Sequence, residues 1–310
     1  MAVPLVALAT WAGLPDGDGD AALLVDALAV RGVAAGPAVW DDPAERWGTY
    51  DLVVVRTVWD YVDRRDAFLA WARSVPRLAN PAGLLAWNTD KRYLEDLERA
   101  GLPVVRTTWI SPADHPGPDW LRAALAGGLH VVKPSVSAGS MDTARYGPDE
   151  VEPALEHVVR LQQEGRTAMV QPYLSAVDEA GETGLVFLDG RFSHAIRKEP
   201  MLAPGVAARP REELVASRQP SAEELDLAHR VVALLPEAVG PAAAPGDFPL
   251  LYARVDLLPD PDRGPVVIEV ELTEPALFLS LDPPTADRLA DAIAWRVGAG
   301  RPGGPGEPVT

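Results

Sequence analysis

The chain has no cysteine among its 310 residues, which excludes disulfides, thiolate metal sites and cysteine nucleophiles. Its five histidines, at 115, 130, 157, 194 and 229, are too scattered to frame a zinc site. No apolar run is long enough to span a bilayer. The apolar start MAVPLVALATWAGL has no basic leading segment and runs at once into DGDGD, so a buried first strand and a cytoplasmic protein are expected. There is no GxxxxGK[ST] loop, no GxGxxG and no GxSxG elbow, so the short phosphate, dinucleotide and serine-nucleophile fingerprints are missing. Basic charge is also scarce. With 28 Lys and Arg against 45 Asp and Glu, the formal charge of −17 argues against nucleic acid and anionic membranes as partners. Lysine is the scarcest cation: Lys91, Lys133 and Lys198 are the three in the whole chain. Arginine is a broad planar fork and lysine a slim point charge, so these three mark places where an ammonium is needed.

What is present is an ordinary globular composition, 47% hydrophobic and 24% charged. Residues 1–10 and 51–56 (DLVVVR) have the pattern of buried strands, and 21–31 and 66–75 that of amphipathic helices. Their alternation predicts a small open α/β domain. Further on, TDKRYLEDLERAG carries a helical stripe of Leu94, Leu97 and Ala100, with Gly101 placed as C-terminal cap. Strands are expected at 104–110, 129–134 and 167–174, with a helix over 149–163. In GLVFLDGRFSHAIRK, Asp189-Gly190 supplies the positive φ angles of a tight hairpin. Ser221 and Glu224 form a capping box before the next helix, and 285–297 reads as the last one. The Gly- and Pro-rich end is expected to be a loose tail.

The stretch VVIEVELTEP, 266–275, alternates as a strand does and puts Glu269 and Glu271 on one face, about 7 Å apart at about 3.3 Å rise per residue. A solvated edge face is the plain explanation. Upstream, LYARVDLL sets Tyr252, Arg254 and Asp256 on one face, and the intervening PDPDRGP suits a hairpin turn. Antiparallel pairing would bring Asp256, Glu269 and Glu271 together beside Arg254. Carboxylates so close need a counter-ion, and hard oxygen ligands suit Mg²⁺ or Mn²⁺. In the loop SVSAGSM, at 135–141, small residues allow backbone N–H groups to approach an anion, with Lys133 just before it. Trp59, Asp60 and Tyr61 follow a parallel strand, where open α/β sheets bind ligands; the alternative is an aromatic plug.

The ordered series NTDKRYL, VVKPSVSAGS, VQPYL, GETGLVFLDGR, ARVDLL and EVELTEP resembles the ATP-grasp ligases over roughly residues 85–280. The phrases RTVWDY, WNTDKRYL, SHAIRK and EVELTEPALFL bring it nearest to the glutathione-synthetase-like branch, and within that to cyclo-ligases that close O-ureido-serine to cycloserine. The resemblance implies an α/β (α+β) ATP-grasp fold with a pre-grasp domain at 1–84, a central subdomain at 85–172, a C-terminal subdomain at 173–298 and a tail at 299–310. It implies ATP and Mg²⁺ (or Mn²⁺) as cofactors and a small amino-acid-like substrate, activated as an acyl phosphate and attacked by nitrogen. Lys91, Lys133 and the loop residues Ser137, Gly139, Ser140 and Met141 would contact phosphate, and Gln171, Pro172, Tyr173 and Leu174 would hold adenine. Glu182 would bind ribose, and Asp256, Glu269 and Glu271 the metal. Arg254 and Lys198 would serve the transferred phosphoryl group, and Trp59, Asp60 and Tyr61 the substrate. One departure is Glu271, where many ATP-grasp enzymes have asparagine. A peptide-forming ligase, a non-catalytic ATP-binding regulator and a homo-oligomer remain open on these grounds.

Overall fold

In a computed structural model, residues 2–114, 118–202, 214–238, 250–282 and 284–299 are described; His115 and nearly all of the expected tail lie outside them. The first sheet is parallel. It comprises β1 (Leu5–Thr10), β2 (Ala34–Val39), β3 (Leu52–Thr57) and the short β4 (Leu78–Ala79), in the order β2-β1-β3-β4. Helices α1 (Gly19–Val30) and α2 (Arg65–Ser74) connect and cover it. The strand residues are apolar on both faces because both are covered: Val6 and Leu8 pack with α1, whereas Ala7 and Ala9 pack with Phe68 and Trp71 of α2. β2 escaped the sequence reading because Gly36 and Pro37 interrupt its pattern; Pro is tolerated there at the sheet edge.

Helices α3 (Ala82–Asn88) and α4 (Tyr93–Arg99) lead out of this sheet. The predicted cap is present: Gly101, at φ 81°, donates to the Glu98 carbonyl at 2.8 Å. The second sheet is antiparallel, in the order β5-β8-β6-β7. It contains β5 (Thr108–Ile110), β6 (His130–Pro134), β7 (Ala144–Tyr146) and β8 (Ala168–Pro172), backed by α5 (Pro118–Ala126) and α6 (Val151–Gln163). The expected strand over 104–110 is therefore shorter than its apolar pattern; Val104 makes only a single bridge, to Val267. A short helix α7 (Val177–Ala180) leads to the third sheet, order β11-β10-β9-β12-β13. Its strands are β9 (Glu182–Leu188), β10 (Arg191–Lys198), β11 (Val215–Arg218), β12 (Tyr252–Asp260) and β13 (Gly264–Glu271), with α8 (Ala222–Ala238) on one face. The β9–β10 turn has the anticipated positive φ values, 50° at Asp189 and 73° at Gly190. The capping box also forms: Ser221 N–H donates to Glu224 at 2.7 Å, and Glu224 N–H to Ser221 Oγ at 3.1 Å.

The last helix, α9 (Pro284–Arg296), returns to the first domain and packs on α1, where Arg31 pairs with Asp287 at 3.0 Å and Asp291 at 2.5 Å. Two buried asparagines stitch the first and third sheets together. Asn80, in the left-handed region at φ 57°, donates to the carbonyls of Tyr252 (2.9 Å) and Leu272 (2.7 Å) and accepts from Leu251 N–H at 2.7 Å. Asn88 donates to the Val270 carbonyl and accepts from Leu272 N–H at 2.8 Å. Unpaired buried polar groups cost about 1–3 kcal/mol each, so Asn80→Ala is expected to lower unfolding free energy by at least about 3 kcal/mol in denaturant titration. A change below about 1 kcal/mol would show that the junction does not depend on this side chain.

Candidate active site

The site is built on the face of β12 and β13 that the alternation predicted. Arg254 lies opposite Glu271 and Asp256 opposite Glu269. Arg254 forks onto Asp256, with Nε 2.8 Å from Oδ1 and Nη2 2.9 Å from Oδ2, and also donates to Glu271 and, at 2.9 Å, to the Ala276 carbonyl. Asp256 reaches over β9 to accept from Lys198 Nζ at 2.9 Å. Gly184 on β9 makes this crossing possible, because a Cβ there would stand 2.9 Å from Asp256 Oδ1. Lys198 in turn pairs with Glu182, its register partner on β9.

Lys91, between α3 and α4, pairs with Glu269 at 3.0 Å and donates to Ser137 at both its carbonyl (2.7 Å) and hydroxyl (3.2 Å). Lys133 is different. It is 8% exposed on β6, yet among the described residues no hydrogen bond or ion pair engages it. Burial, helped by the neighbouring Lys91 and Lys198 charges, pushes its ammonium down to about 8, against the pull of Glu269 and Glu182. Burial pushes Glu182 up to about 7, with Lys198 opposing and Asp256 adding to it. Burial and the adjacent Asp256 and Glu269 charges hold Glu271 well above the usual carboxylate range despite Arg254. Burial acts on Asp256 and Glu269 as well, but the cations win: Arg254 and Lys198 hold the first below its ordinary value, and Lys91 and Lys133 the second.

Two groups of expected site residues have protein partners in this structure. Asp256, Glu269 and Glu271 share one face, but among the described residues no group of three acidic or histidine side chains is disposed to hold a metal ion. Each carboxylate pairs with a cation, Arg254 serving both Asp256 and Glu271, and Asp256, 1% exposed, is enclosed by Arg254 and Lys198. Glu269 and Glu271, more open at 28% and 22% side-chain exposure, are the two that a cation can approach. Asp60 accepts from Trp40 Nε1 at 2.9 Å and pairs with Arg64, whose guanidinium lies 4.8 Å over the Trp40 ring. Trp59 is partly exposed, at 37%, and Tyr61 is buried. Tyr61 faces Glu274, a carboxyl that sequence reasoning left unassigned; burial and Glu269 push it up to about 7. The signal was there, since Glu274 follows Glu271 by three residues, but only the fold brings it to Tyr61.

The 135–141 loop is fixed at its start, where Ser135 accepts from Lys91 N–H at 2.8 Å, and Val136 and Ala138 pack against the aromatic cluster of the first sheet. Gly139 and Ser140 both adopt φ 57°, and Met141 N–H closes a turn on Ala138 at 3.1 Å. Gln171 is buried and donates to Thr107 at 2.8 Å. Pro172 ends β8, Tyr173 N–H bonds Leu129 at 2.8 Å while its ring lies under Arg145, and the Leu174 carbonyl accepts from Val177 at 3.0 Å. These residues form the seam between the second and third sheets.

A parallel entry domain followed by two antiparallel sheets, with Lys133 of the second and Lys91 from the connection facing paired acids of the third, defines an ATP-grasp ligase. Within that class the chain belongs to the family of the cycloserine biosynthesis protein DcsG of Streptomyces lavendulae, to which it is 38% identical over 287 residues, 90% of this chain and 94% of that protein. Residues 6–80 match the N-terminal domain of D-cycloserine synthetase DcsG. The crystal structure of D-cycloserine synthetase DcsG superposes with a TM-score of 0.86 at 36% identity, covering 94% of this chain and 99% of that one. The same fold recurs in D-alanine–D-alanine ligase from Bacillus anthracis, with a TM-score of 0.59 at 15% identity over 95% of this chain and 97% of that one. Among the described residues no helix is long and apolar enough to cross a membrane.

The depressed Lys133 ammonium has a stability consequence. Between pH 8 and 10.5 the unfolded chain holds a proton that the folded chain has shed, so this group makes stability rise with pH across that window. Lys133→Met is expected to remove that rise and to stabilise the unliganded protein at pH 7, by on the order of 3 kcal/mol. Denaturant unfolding of parent and variant at intervals from pH 7 to 10.5 checks it; a stability difference that stays constant contradicts the assignment.

Proposed function

We propose that the chain is an ATP-dependent cyclo-ligase that closes O-ureido-serine to cycloserine, consuming water and releasing ADP and phosphate together with the carbamoyl group as carbon dioxide and ammonia. The observation that carries this reading is Lys133, a buried ammonium without a partner among the described residues, flanked by Lys91 and facing Glu269. A lone cation in a dry site is stabilised by an anion, and phosphate supplies one. Bound ATP with magnesium supplies the phosphoryl group that activates the substrate carboxylate. Glu269 and Glu271 would hold the metal, which takes one or two carboxylates and completes its shell with phosphate oxygens and water. Lys91 and Lys133 neutralise phosphate charge, and Arg254, aligned by Asp256, orients the carboxylate that receives the phosphoryl group. Asp256 and Glu182 keep Lys198 at the same surface.

The nitrogen that displaces phosphate belongs to the same molecule in this reading, so the pocket must be small and dry. The loop at 135–141, held by Lys91 and seated on the first domain, excludes water from the activated carboxyl. Gln171 to Leu174, at the seam, are proposed to hold adenine, and Glu182 to meet the ribose once Lys198 has turned to phosphate. Trp59 and Tyr61 line the substrate side, whereas Asp60 braces their turn through Trp40 and Arg64.

Incubation of the purified chain with ATP, Mg²⁺ and O-ureido-serine is expected to yield cycloserine and ADP in equal amounts. ADP release that instead requires two separate amino acids, with a dipeptide as product, would replace this reading by a peptide-forming ligase. Lys133→Ala is expected to lower kcat at least about 100-fold with the fold intact, since each 1.4 kcal/mol of lost stabilisation is about tenfold. Glu269→Gln should raise the Mg²⁺ concentration needed for half-maximal rate; coincident metal titrations of parent and variant would remove Glu269 from the metal site.

A further inference from the structure

Arg56 lies at the carboxyl end of β3, and the order β2-β1-β3-β4 makes the crevice between β1 and β3 the switch point of the first sheet, where open parallel sheets receive ligands. Its side chain is 2% exposed, and both Nη1 and Nη2 are buried without a hydrogen-bond partner. A guanidinium normally satisfies its planar fork when removed from water. The charged group nearest to it is Asp20, in the first turn of α1, with Oδ2 at 4.0 Å from Nη2. Asp20 is itself fixed by accepting from Leu279 N–H at 3.0 Å. Beneath Arg56 is the ring of Tyr252, 5.6 Å from the guanidinium carbon, and Tyr252 donates to the carbonyls of Val55 and Thr273. Tyr252 and Arg254 occupy the same face of β12, two residues and about 7 Å apart. Arg56 therefore stands one side chain away from the arginine that orients the reacting carboxylate.

We propose that Arg56 and Asp20 together hold the end of the substrate remote from its carboxylate, and that the group they recognise is a neutral urea or carboxamide. The guanidinium donates to its carbonyl oxygen and Asp20 accepts from its N–H. A second carboxylate fits less well, because Asp20 already balances the Arg56 charge and would repel an added anion. A neutral group with an acceptor beside a donor satisfies both residues and adds no net charge to a buried site. The spacing to Arg254 limits the substrate to a molecule a few atoms long. This inference rests on the ligase reading for the identity of the substrate, but not for the claim that Arg56 is built for a ligand.

Steady-state kinetics of Arg56→Met with O-ureido-serine test it together with melting of the unliganded protein. The expected result is a rise in the KM for O-ureido-serine of about 30-fold, as for loss of a charge-assisted hydrogen bond, with the KM for ATP within threefold of the parent. Because the substitution leaves Asp20 without its counter-charge, melting is compared in an Asp20→Asn background. There Arg56→Met is expected to melt no lower than Asp20→Asn alone, since burying a guanidinium with no hydrogen bond costs more than its one remaining contact, with the Tyr252 ring, returns. An unchanged KM for O-ureido-serine, or a fall in melting temperature in both backgrounds, would overturn the proposal and leave Arg56 a packing residue. If the parent does not consume O-ureido-serine, the cycloserine reading fails, and the melting comparison still decides whether Arg56 is built for a ligand.

Discussion

The site depends on one buried carboxylate. Asp256, 1% exposed, is stable as an anion in that position only because Arg254 and Lys198 bind it from two sides, and those cations are in turn held in place by it. An ion pair in a dry interior is costly unless every member is hydrogen-bonded, and removing one leaves a charge that nothing compensates. The side chain reaches Lys198 because Gly184 leaves room across β9. The fork of Arg254 is then directed at Glu271 and the Ala276 carbonyl, which ties the loop after β13 to the same group. A change at any of these residues propagates along one connected network.

Around this network the charges are almost, but not wholly, balanced. Glu269 has Lys91, Glu182 has Lys198 and Glu271 has Arg254. Lys133 and Arg56 are the exceptions, both buried and both without hydrogen-bond partners among the described residues. One stands on the second sheet and the other on the first. A protein with a net charge of −17 that buries cations lacking hydrogen bonds sets local positive groups against the sign of its overall field.

The first and third sheets are held in register by polar groups as well as by apolar contact. Asn80 and Asn88 span from the first domain to β12 and β13, the Tyr93 hydroxyl exchanges hydrogen bonds with Val270 at 2.9 and 2.7 Å, and α9 closes back on α1 through Arg31. Hydrophobic contact tolerates sliding, whereas a paired backbone carbonyl does not. This fixes the distance between the switch point of the first sheet and the charged face of the third, which a small substrate must bridge.

Local periodicity and turn chemistry were legible in the sequence. The β9–β10 hairpin at Asp189-Gly190, the Ser221 and Glu224 capping box, the Gly101 cap and the shared face of Arg254, Asp256, Glu269 and Glu271 follow from residues close together in the chain, and the scarcity of lysine singled out all three ammonium groups. Partners remote in sequence were decided by the tertiary structure. Asp60 has the look of a ligand group after a parallel strand, but Trp40 and Arg64 claim it. The three carboxylates of β12 and β13 suggested one metal cluster, and only the fold shows that Lys91 and Lys198 from other segments, with Arg254 of β12 itself, pair with them. β2 and the short β7 were too broken or too brief to leave a pattern, and exist because a neighbouring strand supplies their hydrogen bonds. The importance of Asp20, Arg56, Asn80 and Glu274 lies in which groups pair and which stay unpaired after burial, a property of distances between segments that no local pattern encodes.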